Sequence, residues 1–301
     1  MQETSDVVRR AGQVGVAIPA FNVPYLPMIE PVIRAVVDQD SFALVETARV
    51  EWVKFGSQGP AAVAQEFDKW DVPDHVRLHL DHVPVIDEDQ ERVDYLPIIR
   101  QAIELGYRSV MVDGSRLGLE DNIEATRQVV ALAHRAGIPC EAELGAVLGH
   151  EAGPLPAYEE LLASRLGFTD AREAERFVRE TGCDWLSVAI GNIHGAVSAA
   201  LKDKKKVDAR LDLDHLALLR QATGIPLVLH GGSGVKQEYM QAAIKQGIAK
   251  VNIGTEIRQA YESVLAAKGT WAAAQDAVYE RTCWLIHDYL GLAGSRALVA
   301  C

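Results

Sequence analysis

The chain has 301 residues, 49% of them apolar, which is ample for a core and leaves one or two domains open by length alone. Its net charge of −12 argues against a general binder of nucleic acid or anionic membrane. A local basic pocket for a phosphorylated metabolite stays open, because net charge governs mainly solubility and non-specific binding. No apolar run approaches the roughly 20 residues needed to span a bilayer, and the N-terminus lacks the basic-then-apolar pattern of a secretory signal. The four cysteines, Cys140, Cys183, Cys283 and Cys301, form no CxxC pair. No thiolate zinc site or redox motif is therefore expected, and they read as reduced thiols of a cytoplasmic protein.

Short apolar runs alternate with helical stretches along the whole chain. Candidate strands fall at 14–23, 42–47, 76–83, 109–114, 138–144, 185–193, 226–230 and 250–254. Each is nearly continuously apolar rather than alternating, as parallel strands buried on both faces are. Amphipathic stretches at 96–105, 122–135, 171–181, 213–221 and 237–246 lie between them. Gly106, Gly137, Gly182, Gly224 and Gly247 follow these stretches, where a left-handed C-terminal cap favours glycine. Eight such units predict an α/β chain folded as a single-domain (β/α)8 TIM barrel over 1–301, with right-handed crossovers and C-terminal helices from about residue 257 onward. A doubly wound sheet is the alternative. Two stretches, 150–166 and 198–210, are too long for ordinary βα loops. The second contains Lys202, Lys204, Lys205 and Lys206. Both leave the C-terminal ends of strands, where barrel enzymes carry their active sites and long loops often act as lids.

Three histidines follow strands three, six and seven: His82, His194 and His230. Any one alone reads as a polar residue closing a strand. Together, with glycines beside two of them, they favour a shared metal, because a catalytic zinc typically takes three protein ligands and keeps one position open. Asp81 precedes His82. Neighbouring strand residues point to opposite faces, so both reach the barrel mouth only if the strand is ending there. Asp81 then reads as a carboxylate that exchanges a proton with a substrate oxygen, or as a partner that orients a ligating histidine. Glu141 and Glu143 share a face of strand five, and two buried acids are costly unless paired or bound to a cation. Glu143, nearer the mouth, is the candidate close to the metal. Glu151, on the long loop after that strand, suits a general base. Gly231-Gly232-Ser233-Gly234 and the trio Asn252, Gly254 and Thr255 end strands seven and eight, where barrel enzymes frequently bind phosphate.

These residues resemble the class II, zinc-dependent fructose-bisphosphate and tagatose-bisphosphate aldolase family. The matching segments include Ala20-Phe21-Asn22-Val23, Leu80-Asp81-His82, the run from Ser109 to Ser115, Glu141-Ala142-Glu143-Leu144-Gly145, the run from Ala189 to Gly195, Leu229 to Gly234, and Asn252 to Glu256, in family order. The resemblance implies an aldehyde-lyase that cleaves a ketose phosphate reversibly to dihydroxyacetone phosphate and an aldehyde. His82, His194 and His230 would hold a Zn2+ that acts as a Lewis acid on the ketone, with Glu143 near it. Asp81 would exchange a proton with the C4 oxygen, and Glu151 would move a proton at the carbon of dihydroxyacetone phosphate. Asn22, Gly195, Gly231, Ser233, Asn252 and Thr255 would bind that half of the substrate and its phosphate. The resemblance also implies a monovalent cation (Na+ or K+) near the phosphate and a homo-oligomer, dimer or tetramer.

Most departures from the family pattern surround the substrate rather than the metal. Val83 replaces a common Gly, Glu46 and Ala48 stand where a Gln and a Ser are common, Ser198 replaces a Lys, and Gly254 replaces an Asp. The inference is that aldol chemistry is kept while the aldehyde half differs, with Glu46 expected to repel a phosphate at that end. A zinc-assisted sugar-phosphate epimerase and a non-catalytic subunit of an aldolase assembly are the competing functions. Schiff-base chemistry needs a buried lysine of lowered pKa, and no predicted strand interior holds one; Lys250 is expected at the far end of strand eight.

Overall fold

Parallel strands β1 (Ile18–Asn22), β2 (Ala43–Ala48), β3 (Val76–Pro84), β4 (Ser109–Asp113), β5 (Cys140–Leu144), β6 (Trp185–Val188), β7 (Leu227–Leu229) and β8 (Ile248–Ile253) pair in chain order. β8 returns to β1, which closes the barrel. This is a computed structural model, and it describes residues 2–147, 158–193 and 209–300. Helices connect the strands, and after β8 come helices Thr255–Ala266, Trp271–Trp284 and Arg296–Val299. A one-turn π segment, Leu285–Tyr289, extends the second of these. No helix among the described residues is long and apolar enough to cross a membrane.

The strands are buried on both faces, and this is why their sequences read as continuous apolar runs. The outward residues, such as Val45, Leu78, Leu80, Val110, Ala142 and Val251, join the large core under the helix ring. The inward residues divide into layers by the two-residue strand period. At the bottom, Ile18, Ala20, Leu44, Trp185 and Val228 form a separate apolar cluster. Val7, Val8 and Ala11 from the helix Thr4–Val14, with Val299 from the C-terminal helix, plug that end. Above it the interior turns polar and charged: Glu46, His79, Glu141 and Lys250, each fully buried, then Asp81, Asn252 and His230.

Several boundaries differ from the sequence reading. The expected strand at 14–23 begins only at Ile18, because the amphipathic helix Thr4–Val14 precedes it and ends on Gly15 in a left-handed conformation (φ 73°). The expected strand at 185–193 ends at Val188. There the chain turns, with Gly191 at φ 109° and the Asn192 side chain accepting from the Ile190 amide. Of the stretch 150–166, residues 158–164 form the helix Tyr158–Ser164 rather than loop. Its earlier part, with Glu151, lies outside the described residues, as do His194, Gly195, Ser198 and the lysines of 202–206. Helices Ile29–Asp38, Arg49–Lys54 and Pro60–Phe67 fill the β1–β2 and β2–β3 connections. Cys140, Cys183 and Cys283 are free thiols.

Candidate active site

Asp81 and His82 both reach the barrel mouth, though not because the strand ends there. β3 continues to Pro84, and its register with β4 shifts between Leu80 and Val83. His82 sits in that bulge at φ 28°, a left-handed conformation that a non-glycine residue adopts only under constraint. The extra residue breaks the two-residue alternation, so consecutive side chains turn to the same side. Such strain commonly marks functional positions.

Two imidazoles meet at this point. His82 Nε2 and His230 Nδ1 lie 2.6 Å apart, with the rings nearly perpendicular. The other nitrogen of each ring contacts a carboxylate. His82 Nδ1 is 3.2 Å from Asp113 Oδ2, and His230 Nε2 is 2.8 Å from Glu141 Oε1. Asp113 is itself fixed, its Oδ1 accepting from the Ser115 amide and hydroxyl. Glu143 Oε2 is 3.5 Å from His230 Nδ1 and accepts from the Ser187 hydroxyl at 3.2 Å. His82, Asp113 and Glu143, and likewise Asp81, His82 and His230, bring ligand atoms within 4.8 Å of one another.

This donor set fits a zinc ion. Metal-bound histidines usually give their second nitrogen to a carboxylate, which fixes the tautomer and aims the ligating atom; both histidines here do so. A second acidic cluster, Glu46, His79 and Asp81, lies deeper. It already contains a cation, because Lys250 Nζ is 2.9 Å from Glu141 Oε2 and 3.3 Å from Glu46 Oε2.

Asp81 is clamped by two amides. Asn22 Nδ2 donates to Oδ2 at 2.9 Å and Asn252 Nδ2 donates to Oδ1 at 3.0 Å. Burial by itself would raise this carboxyl, but the positive charge of the neighbouring histidines and Lys250 outweighs it and holds Asp81 below the usual carboxylate range. Glu143 behaves oppositely: burial and the Asp113 charge push it up to about 8. Burial also keeps His79 neutral, its pKa brought down to about 3, with Lys250 adding to that effect. Glu141 falls to about 2, because Lys250 and the His230 contact overcome its burial. A carboxylate fixed by two donors beside a metal-type histidine pair can exchange a proton with a substrate oxygen.

Of the predicted phosphate-half residues, Asn22, Gly231, Ser233, Asn252 and Thr255 lie at the ends of β1, β7 and β8, and Gly195 lies outside the described residues. Ser233 Oγ accepts from the Glu256 amide at 3.3 Å, which ties the β7 loop to the first turn of Thr255–Ala266. Gly231 opens that loop in a left-handed conformation. The Tyr289 hydroxyl, from the π segment, lies 2.9 Å from the Gly232 carbonyl and 2.6 Å from that of Val235, and so braces the loop from behind. A helix N-terminus beside a glycine-rich turn is a ready anion site.

The structure corrects two readings. Glu46 does not face the aldehyde end. It is fully buried between His79 and Lys250, and burial raises its carboxyl well above the ordinary range, so its neighbour in the barrel is a buried ammonium and not a substrate phosphate. Ala48, two residues on, sits opposite Asp81. Lys250 is not at the far end of its strand. β8 starts at Ile248, and the ammonium lies inside the barrel, fully buried. Sequence reasoning also left Asp113, His79 and Glu51 without roles. Glu51 is buried, its carboxylate accepting from the Ala48 amide at 2.9 Å. The usable signal was a titratable side chain inside or beside an otherwise apolar strand, since such groups are rarely buried unless paired.

Comparison with known proteins agrees with this geometry. The family profile described as fructose-bisphosphate aldolase class-II matches residues 2–288. A fructose-bisphosphate aldolase of Streptococcus pneumoniae is 34% identical over 277 residues, 91% of this chain and 85% of that protein. The crystal structure of the YdjI aldolase from Escherichia coli K12 superposes with a TM-score of 0.76 at 30% identity, covering 98% of this chain and 99% of that one. A putative fructose-1,6-bisphosphate aldolase from Coccidioides immitis gives 0.77 at 28% identity, over 98% of each chain. The chain belongs to the class II fructose-bisphosphate aldolase family and is an aldolase, an enzyme of the lyase class.

Proposed function

We propose that this aldolase is zinc-dependent and cleaves a ketose phosphate reversibly to dihydroxyacetone phosphate and an aldehyde. The supporting observation is the convergence of Asp81, His82 and His230, with a carboxylate behind each imidazole and two amides on Asp81. His82 and His230 hold the metal from β3 and from the end of β7. His194, which lies outside the described residues, is assigned as the third ligand by family resemblance. Bound zinc supplies Lewis-acid polarisation of the substrate ketone. Asp81, kept ionised and oriented, takes the proton of the C4 hydroxyl in the cleavage direction and returns it in synthesis. Glu151, assigned in the same way as His194, moves the proton at the dihydroxyacetone phosphate carbon. Asn22, Gly195, Gly231, Ser233, Asn252 and Thr255 bind the dihydroxyacetone phosphate half, the phosphate lying against the Thr255–Ala266 N-terminus, with a Na+ or K+ ion beside it. The protein works as a cytoplasmic homo-oligomer.

A coupled assay for released dihydroxyacetone phosphate, run on ketose 1-phosphates and ketose bisphosphates, tests this reading. Turnover of at least one of them, lost on chelation and regained with zinc, is the expected result. Full activity after complete zinc removal, or conversion of the sugar to one isomer without fragmentation, contradicts it.

A further inference from the structure

We infer that Lys250 is a positioning residue that aims both halves of the catalytic machinery, the proton-exchanging Asp81 and the metal ligand His230; this rests on the roles proposed above for those two residues. The ammonium occupies the layer beneath the site, fully buried, and touches both halves through one intermediary each.

Toward Asp81 the intermediary is Asn252. Lys250 and Asn252 are two apart on β8, so their side chains rise from the same face. Lys250 Nζ donates to Asn252 Oδ1 at 2.7 Å. An ammonium has three donors and no acceptor, so it admits only the oxygen end of the amide. The NH2 end is thereby turned to Asp81 Oδ1, 3.0 Å away. Reversal of that amide would set its oxygen against a carboxylate. Toward His230 the intermediary is Glu141. Its Oε2 lies 2.9 Å from Lys250 Nζ and its Oε1 lies 2.8 Å from His230 Nε2. Anchored on the ammonium, this carboxylate accepts from Nε2 and directs Nδ1 to His82. The chain of contacts is therefore Asp81, Asn252, Lys250, Glu141, His230, with the cation at its centre.

Measurement on the purified full-length protein decides it. Lys250→Met is expected to lower kcat for ketose phosphate cleavage at least about tenfold with little change in KM, and to weaken zinc binding at least about tenfold in competition with a chromophoric chelator, the range typical for partners of metal ligands. Adding Asn252→Ala to Lys250→Met should reduce kcat little further, since coupled residues are non-additive. Where the single Lys250 change fails to fold, Lys250→Met with Glu46→Gln removes an acid along with the ammonium and is measured in the same way. Asn252→Asp keeps the Lys250 contact but cannot donate to Asp81, and should lose kcat while holding zinc normally. Normal zinc affinity and kcat in the folded Lys250 variant, additive losses in the cycle, or full kcat in Asn252→Asp each overturn the inference. Asp81→Ala separates the two layers of argument. If it keeps its turnover, the proposed role of Asp81 is wrong; if it is inactive while the Lys250 variants are normal, only the positioning role is.

Discussion

Replacing Asp113 by Asn changes one atom and should disable His82 as the proposed metal ligand. Asp113 Oδ1 accepts from the Ser115 amide at 2.9 Å and from its hydroxyl at 2.6 Å, while Oδ2 faces His82 Nδ1 at 3.2 Å. Both Ser115 donors keep the oxygen of the new amide, so its NH2 takes the place facing His82. Two donors cannot share that contact. The ring then carries its proton on Nε2, the atom that meets His230 Nδ1, and a protonated ring nitrogen cannot ligate. Binding zinc in the correct tautomer sets the Nδ1 proton against the amide NH2 and leaves a donor unsatisfied, about 1–3 kcal/mol. At about 1.4 kcal/mol per decade that is roughly a 5–150-fold loss of zinc affinity.

Asp113→Ala supplies the contrast. It removes the acceptor without adding a donor, and the His82 side chain is 17% exposed, so water can accept from Nδ1. The isosteric change should therefore be worse than the truncation. Zinc titration against a competing chelator at fixed pH measures both variants. Equal affinities, or a weaker Ala variant, refute the tautomer argument.

Removing zinc should cost stability directly. Zinc at about 100 times its Kd adds roughly 2.7 kcal/mol, or about 4 °C in Tm for a chain of this size, and calorimetry with and without chelator reads it; coincident melts would argue against a metal at this site. Glu51→Gln should flatten the pH dependence of the metal-free protein. Burial raises the Glu51 carboxyl from its ordinary 4.5 to about 8, with the Asp81 charge adding to this. The folded state thus binds a proton that the unfolded state releases, and stability falls as pH rises from about 4.5 to 8, by up to about 5 kcal/mol at about 1.4 per unit. Denaturant melts at pH 5 and pH 8.5 should show the variant gaining on the parent only at the higher pH, and parallel profiles would exclude the effect. Gly232→Ala adds a methyl group whose carbon would stand 2.7 Å from Val251 Cγ1 and 2.9 Å from the Asn252 carbonyl oxygen. Relief must part the β7 loop from β8, at about 1–3 kcal/mol. The expected result is a KM for the phosphorylated substrate raised at least about fivefold with zinc retained; an unchanged KM would mean the loop does not contact phosphate.

The barrel was legible because its strands are buried on both faces and its helices are capped by glycine, Gly182 and Gly224 among them, each left-handed at the end of its helix. The mouth was legible for a different reason. Ligand-bearing residues there stand in short polar clusters against an apolar background, and Asp81, His82, His230 and Asn252 do come together. The route by which Asp81 and His82 do so was not readable. A bulge leaves no mark in composition, and Val83 gives no hint of the positive φ at the residue before it.

The layer beneath the mouth was misread because charge patterning cannot report depth. Glu46 looks like an acid near the substrate when its strand is read alone, and Lys250 looks like a strand-end lysine when the strand is started one pair too late. In space the two belong to one buried cluster, with Glu141 and His79. That corrects the case against Schiff-base chemistry without reversing it. A lysine does lie inside the barrel, close to the active site. An imine-forming lysine needs its neutral amine within reach, which enzymes obtain by apolar burial or a neighbouring cation. Lys250 instead has Glu141, Glu46 and Asp81 around it, which raise its pKa against the pull of burial. The ammonium is locked in its charged form and turned toward Asn252, so it can orient the groups above it but cannot attack a carbonyl.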